Sequence, residues 1–320
     1  MKKIIIAVFL MLAAFNIFAV EEVRTDSEII LVAARQKLDA FSAKDGVYLG
    51  KFSDLKDENG NSLLTPHAML KTSDNKVLVA GYGSPVNGEH IRMVKLNLDG
   101  TFDKIFFKQS TPNITLNKPT RIIELSDGSI MVFESSNKKI FKFNSDGSLS
   151  GEFLATDANL EISKRNDIIL FKEGGIDTIV ITSSDVSKKI LQYDLEGNLK
   201  NDLTPISAEV KNPAYISKMS DGKYLIVDIT YNPKKLMILD KDFYFEKIIV
   251  EDGLMKSTFA VENELTKEIV TIDQGRVSEK SYDDNVEVFG TDGKFVKSVY
   301  TYDDGVLRNL IYINGITKKW

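Results

Sequence analysis

One short pattern recurs along the chain and constrains its fold more than anything else. It is a hairpin turn between two β-rich runs, seen as FSAKDGVYLGKF, LNLDGTFDKIF, FNSDGSLSGEF, YDLEGNLKNDL, LDKDFYFEKII and FGTDGKFVKSV. Its turn positions are Gly46, Gly100, Gly147, Gly197, Phe243 and Gly293, with steps of 54, 47, 50, 46 and 50 residues. Asp-Gly between β-rich runs signals a tight hairpin, because the turn needs positive φ and glycine takes it without steric cost.

The stretch Pro119–Phe153 exposes the whole unit. Four apolar-rich runs, Arg121–Leu125, Ser129–Glu134, Lys139–Asn144 and Ser148–Phe153, are separated by Asp127-Gly128 and Asp146-Gly147 at the outer pairs. Each run has strand length, not helix length. The unit is therefore a four-stranded antiparallel meander. Turns between the first and second runs keep the same register at Ser73–Lys76, Ser126–Ser129, Lys172–Gly175, Ser220–Lys223 and Ile313–Ile316. The second runs, VLVAG, IMVFE, TIVIT, YLIVD and EIVTI, are almost wholly apolar, as expected of strands covered on both faces. A single meander cannot bury both faces, so units at this period must stack on one another. The pattern predicts an all-β protein: a six-bladed β-propeller of four-stranded antiparallel blades.

The ring is expected to close by pairing the N- and C-terminal segments in one blade. Ile29–Phe52 supplies second, third and fourth strands, and Val306–Ile313 supplies the first. Ile29–Ala33 and Ile316–Trp320 compete for the second-strand position; the more apolar Ile29–Ala33 is favoured. Such a seam removes an open sheet edge.

The unit resembles the NHL-repeat six-bladed propellers, in which Asp-Gly, an apolar second strand and a "vfd.dGkfl"-like hairpin recur. Ile30–Phe52 is the nearest local match, followed by Tyr224–Asp240. The resemblance implies a propeller across 29–320. A single tryptophan argues against WD40 repeats, and the lack of Gly-Gly strand motifs argues against kelch repeats.

The chain begins Met1-Lys2-Lys3 and runs apolar from Ile4 to Val20. A basic start followed by an apolar core reads as a signal peptide over 1–19, cut after Ala19, with 20–28 a short linker. An uncleaved membrane anchor is the alternative. The expectation is an exported protein, periplasmic or extracellular. Of its 320 residues 41 are Lys or Arg and 46 are Asp or Glu, a net charge of −5. That balance disfavours nucleic acid as a partner. There is no cysteine, which excludes disulfides and thiolate metal sites.

Ligands of propellers gather where side chains from several blades converge at the channel. The segments leading into the first strands bring His67, Arg121, Arg165, Asp167, Tyr215, Arg308 and Asn309 to that face. This set is basic and hydrogen-bonding in an acidic protein. It suits a carboxylate, an acidic sugar or a peptide C-terminus; the competing reading is a solvated mouth partly paired with Asp167. Metal chemistry is poorly supported. Two histidines, His67 and His90, cannot make a three-histidine zinc site. A channel-bound calcium, as in a hydrolase or lyase, would draw on Asn166, Asp167 and Asn309, too few oxygens on their own. No G-x-S-x-G nucleophile elbow occurs. No cofactor or metal is expected, and the reading is a non-catalytic binding or scaffold module for a protein or cell-envelope ligand. Asn113-Ile114-Thr115 matches a glycosylation sequon. Gly81–Glu89 and Gly275–Asp284 read as long loops in the first and fifth blades. Phe243, Tyr244 and Phe245 read as an altered hairpin with rings packed down, or as a rim contact site.

Overall fold

A computed structural model describes residues 26–83, 85–86, 89–110, 116–153, 165–184, 187–230, 234–254, 259–278, 281–302 and 307–320. The segment 1–19, the sequon at 113–115 and the stretch 256–258 lie outside the described residues. The fold is a six-bladed β-propeller of antiparallel blades. Blade 1 spans Thr65–Ser110, blade 2 Pro119–Phe153, blade 3 Asp167–Asp202, blade 4 Pro213–Leu254 and blade 5 Phe259–Tyr302. Blade 6 joins Leu307–Asn314 to Glu28–Ala34, Lys37–Ser42 and Tyr48–Ser53. The six first strands touch in sequence around the channel, and Leu307–Asn314 meets Thr65–Lys71 to complete the ring.

The apolar second strands are explained by what flanks them. Successive residues of a strand point to opposite faces. In blade 2, Ile130 and Val132 enter a cluster shared with blade 1, while Met131 and Phe133 enter one shared with blade 3. In blade 6, Ile29, Leu31 and Ala33 pack toward blade 1, and Ile30, Val32 and Ala34 toward blade 5. The core is thus six apolar layers, one between each pair of neighbouring blades.

Polar contacts stitch the same boundaries. Ser73 at the first turn of blade 1 donates its backbone N–H and hydroxyl to Glu124 of blade 2, at 2.7 and 2.9 Å. Ser126 of blade 2 does the same with Asp177 of blade 3, at 2.5 and 2.7 Å. The N–H of Ser220 in blade 4 reaches Glu262 of blade 5 at 2.6 Å. These carboxylates satisfy turn N–H groups that the ladder leaves unpaired.

The hairpin between third and fourth strands has a fixed form. The Asn144 N–H bonds the Ser148 carbonyl, the Gly147 N–H bonds the Asn144 carbonyl, and the pairing shifts at Lys142/Phe143. Gly147 sits at φ 94° in the bulge, the place where such turns require a left-handed residue. A Cβ there would lie 2.0 Å from the Phe106 carbonyl oxygen of blade 1. Phe243 occupies this slot in blade 4 at φ 65°. Its ring is buried, stacked on Tyr224 at 4.2 Å and tilted against Phe171 of blade 3 at 5.9 Å. Of the three aromatics only Tyr244 is exposed.

The seam forms as the apolar pattern predicts: Glu28–Ala34 pairs antiparallel with Leu307–Asn314, from Glu28↔Asn314 to Ala34↔Leu307. Tyr312 donates to Glu28 at 2.6 Å. Ile313–Ile316 does not act as a first-to-second turn. Gly315, at φ 75°, leads the chain out of the sheet into a strap. There the Ile316 N–H bonds the Ser27 carbonyl, the Thr317 N–H bonds the Leu98 carbonyl, and Trp320 lies against Phe52. Two expected loops are largely strand: Pro85–Val86 pairs with Glu89 and His90, and Ile269–Ser278 with Ser281–Phe289 makes one long hairpin.

Candidate binding site at the channel mouth

The loops leading into the first strands and the turns between second and third strands share one face, called here the inlet face. The Asp-Gly turns occupy the other. Glu134, at the end of the blade 2 second strand, organises part of the inlet face. Its buried carboxylate accepts the N–H groups of Asn117, Lys118 and Ser136. This fixes the backbone of Lys118 just ahead of Pro119.

Arg121 extends across three blades. Its guanidinium makes a two-pronged contact with Asp167 of blade 3, one prong from Nε at 2.6 Å, and donates to the Ile216 carbonyl of blade 4 at 2.9 Å. It also lies over the Phe259 ring of blade 5, 5.2 Å from the centroid. Asp167 is buried and accepts the N–H groups of Ile168 and Ile216 as well, at 2.9 and 3.1 Å. Thr182 holds this corner by accepting the Asp167 N–H and donating to the Ala214 carbonyl at 2.6 Å. Burial works against the Arg121 charge, but the Asp167 carboxylate outweighs it and holds the guanidinium above its ordinary range. Tyr215 packs against Phe259 with centroids 5.2 Å apart. In this sector the positive charge is internally compensated.

The opposite sector differs. Arg308 of blade 6 is half-buried, and its Nε is covered with no hydrogen-bond partner. No ion pair of Arg308 occurs among the described residues. Burial lowers its pKa, and the Asp284 charge offsets this only in part. His67 of blade 1 is buried, and desolvation together with the charges of Arg308 and Lys118 pushes its pKa down to about 3. His67 is therefore neutral at physiological pH. The Lys118 side chain is exposed, with no ion pair among the described residues. Thr120 Oγ1 and Asn309 Oδ1 are covered and unpartnered, Asn309 being 1% exposed. Buried polar atoms normally find partners, so such a group of them at one mouth is unusual.

The seven residues anticipated from sequence thus divide. Arg121, Asp167 and Tyr215 join one compensated network. His67 and Arg308 lie together on the other side, where among the described residues Asp284 offsets the positive charge only in part. Asn309 follows Arg308 in the blade 6 first strand, and Arg165 is exposed on the turn before Asp167. Sequence reasoning missed Lys118 and Phe259. Lys118 directly precedes Pro119, and Phe259 opens the first strand of blade 5. Two of the three calcium candidates are already engaged, Asp167 by Arg121 and two N–H groups and Asn166 by the Ser184 N–H at 3.2 Å, while Asn309 Oδ1 is unpartnered. Among the described residues no three His, Asp or Glu side chains group as a metal would require.

Comparison with known proteins supports the fold. Residues 72–106 match a family described as a "Domain of unknown function (DUF5122) beta-propeller". No curated protein is a significant sequence match. Among solved structures, the chain is similar to one in a nidogen/laminin complex, with TM-score 0.62 and 13% identity over 90% of this chain and 99% of that one. It is similar to a protein of unknown function from Bacteroides caccae, with TM-score 0.57 and 12% identity over 90% and 99%. A protein from Bacteroides uniformis provisionally assigned as a 6-phosphogluconolactonase gives TM-score 0.55 and 14% identity over 89% and 85%. At these identities the likeness is one of fold, and a propeller fold does not specify a chemistry.

Proposed function

We propose that this protein is an exported, non-catalytic recognition module that binds a protein or cell-envelope ligand on its inlet face, in the sector between blades 6, 1 and 2. The observation that carries the reading is the asymmetry of the mouth. Arg121 is tied to Asp167, whereas Arg308 stands beside a neutral His67 and a Lys118 with no ion pair among the described residues. A half-buried guanidinium without hydrogen bonds is destabilised by lost solvation, and an incoming partner that supplies acceptors relieves that cost. The engagement of Asp167 and Asn166 leaves Asn309 alone of the three candidates for the calcium-dependent hydrolase reading, which weighs against it. The nidogen/laminin neighbour is a propeller in a protein–protein complex, which is compatible with a recognition role.

The test is capture from a cell-envelope extract by immobilised protein, compared with an Arg308→Ala/Lys118→Ala variant and with Lys200→Ala, an exposed lysine following an Asp-Gly-type turn on the other face. Recognition at the inlet face predicts a partner retained by wild type and Lys200→Ala and lost by the double variant. Equal capture by all three would refute it. Export rests on Lys2, Lys3 and the Ile4–Val20 core. Mass spectrometry should find a mature N-terminus at Val20, and an intact Met1 in the cytosolic fraction would overturn the assignment.

A further inference from the structure

We infer that the group recognised at this mouth is a carboxylate monoanion, of the kind a peptide C-terminus or an acidic sugar presents, seated on the Arg308 guanidinium with Lys118 beside it. This rests on the inlet-face reading above and gives its ligand a chemistry.

The molecule supplies its own template. Where a first-strand arginine meets a carboxylate from the next blade, as Arg121 meets Asp167, the guanidinium takes a two-pronged contact and the corner is saturated with hydrogen bonds. Planar bidentate pairing is the geometry for which guanidinium and carboxylate are matched. Around the ring, blade 6 presents Arg308 and the adjoining blade 1 presents His67, whose neutral imidazole supplies no negative charge. No described residue gives Arg308 the two-pronged carboxylate contact that Asp167 gives Arg121.

The charges of the described residues bear on the valence of the ligand. Arg308 and Lys118 contribute two positive charges. Among the described residues Asp284 is the anion that offsets Arg308; it contributes one negative charge and is also bonded to the Leu307 N–H at 2.7 Å. His67 contributes none. Glu134, which holds the Lys118 N–H, adds a second negative charge among the described residues, so a singly charged ligand fits this mouth better than a dianion. A phosphate dianion would also face the Asp284 carboxylate without a further cation.

The experiment follows the arginine Nε–Hε signals by NMR as full-length mature protein is titrated with N-acetylglycine, N-acetylglycinamide or inorganic phosphate. The Arg308 signal is assigned by its loss in Arg308→Ala. The expected result is a saturable shift of that signal with N-acetylglycine, none with the amide, and weaker binding of phosphate. Lys118→Ala, at an exposed position, should weaken N-acetylglycine about threefold, and Arg308→Lys about tenfold, since a point charge cannot replace the fork. No saturable shift with N-acetylglycine, or an equal shift with the amide, overturns the carboxylate assignment. Tighter binding of phosphate overturns it in favour of a polyanion site. In either case loss of envelope capture in Arg308→Ala/Lys118→Ala would leave the inlet-face reading standing, so the two failures are distinguishable.

Discussion

Two glycines in blade 2 form a controlled experiment. Gly128 lies in the first hairpin at φ 79°, and Gly147 in the second at φ 94°. Replacing either by alanine forces a Cβ into left-handed backbone, which costs about 1–2 kcal/mol, and stiffens the unfolded chain, which returns about 0.4–1 kcal/mol. The surroundings differ. At Gly128 the nearest atom to a new Cβ is Ser145 Cβ at 3.5 Å, an ordinary contact. At Gly147 it is the Phe106 carbonyl oxygen at 2.0 Å, with the carbonyl carbon at 3.0 Å. That overlap exceeds an ångström and involves backbone on both sides, so either blade 1 or the blade 2 turn must move. Forced repacking of this kind costs about 1–3 kcal/mol. The first two contributions cancel in the comparison. Gly147→Ala should therefore be less stable than Gly128→Ala by about 1–3 kcal/mol, with Gly128→Ala itself near 1 kcal/mol below wild type. Urea denaturation followed by far-UV circular dichroism reads the difference as a shift of midpoint at unchanged slope. Equal midpoints for the two variants would refute the claim that this hairpin is held against its neighbour by backbone contact. Gly100 and Gly293, each 2.0 Å from a carbonyl of the preceding blade, should behave like Gly147.

Other outcomes follow from the same structure. Deleting Leu307–Trp320 removes the first strand of blade 6 and bares the flanking apolar layers. At about 25 cal/mol per Å², several hundred Å² cost several kcal/mol, and the protein should aggregate or lose its cooperative transition. Deleting only Thr317–Trp320 removes the strap and should lower the melting temperature modestly; an unchanged melting temperature in the longer deletion would disprove closure at the seam. His67 takes up a proton at about 3 when folded but near 6.5 when unfolded. The unfolded state therefore binds more protons between those values, and stability falls on acidification through that window. From pH 6.5 to 5, before most carboxylates titrate, His67→Gln should lose less stability than wild type, and parallel pH profiles would contradict the assignment. Arg92 is fully buried, lies 4.7 Å over the Tyr82 ring and has no hydrogen bond to its guanidinium. Because an apolar replacement often matches or exceeds a buried charge, Arg92→Met should melt at or above the wild-type temperature, and a fall of more than 10 °C would show that the charge is compensated.

The fold was legible because its signals are local. Asp127-Gly128 and Asp146-Gly147 fix turn positions, and a run such as Ile130–Glu134 can be apolar throughout only if both sides are covered. The seam was legible for the same reason, since Ile29–Ala33 offers apolar residues to both neighbours and Ile316–Trp320 does not. The strap was not, because it depends on single contacts to Ser27, Leu98 and Phe52 from distant parts of the chain. The two apparent loops became strands because backbone pairing, not side-chain pattern, extends them. At the mouth, residue types were readable but their partners were not. Whether an entry arginine is compensated depends on whether it meets a carboxylate of the next blade, as Arg121 meets Asp167, 46 residues away in sequence. Phe243 announced a departure from the glycine rule, but that its ring fills the space between blades 3 and 4 follows only from the placement of Phe171 and Tyr224.

The seam also sets a direction. Glu28 opens its strand opposite Asn314, where the first strand of blade 6 ends. Both chain segments therefore pass through the face of the Asp-Gly turns. Arg308 and His67 belong to the other face, a full strand length away. Anything that tethers the protein through the residues ahead of Asp26 holds it from behind and displays the basic mouth outward. Leu307–Asn314 then works as a spacer whose length, eight residues at about 3.3 Å each, separates attachment from recognition.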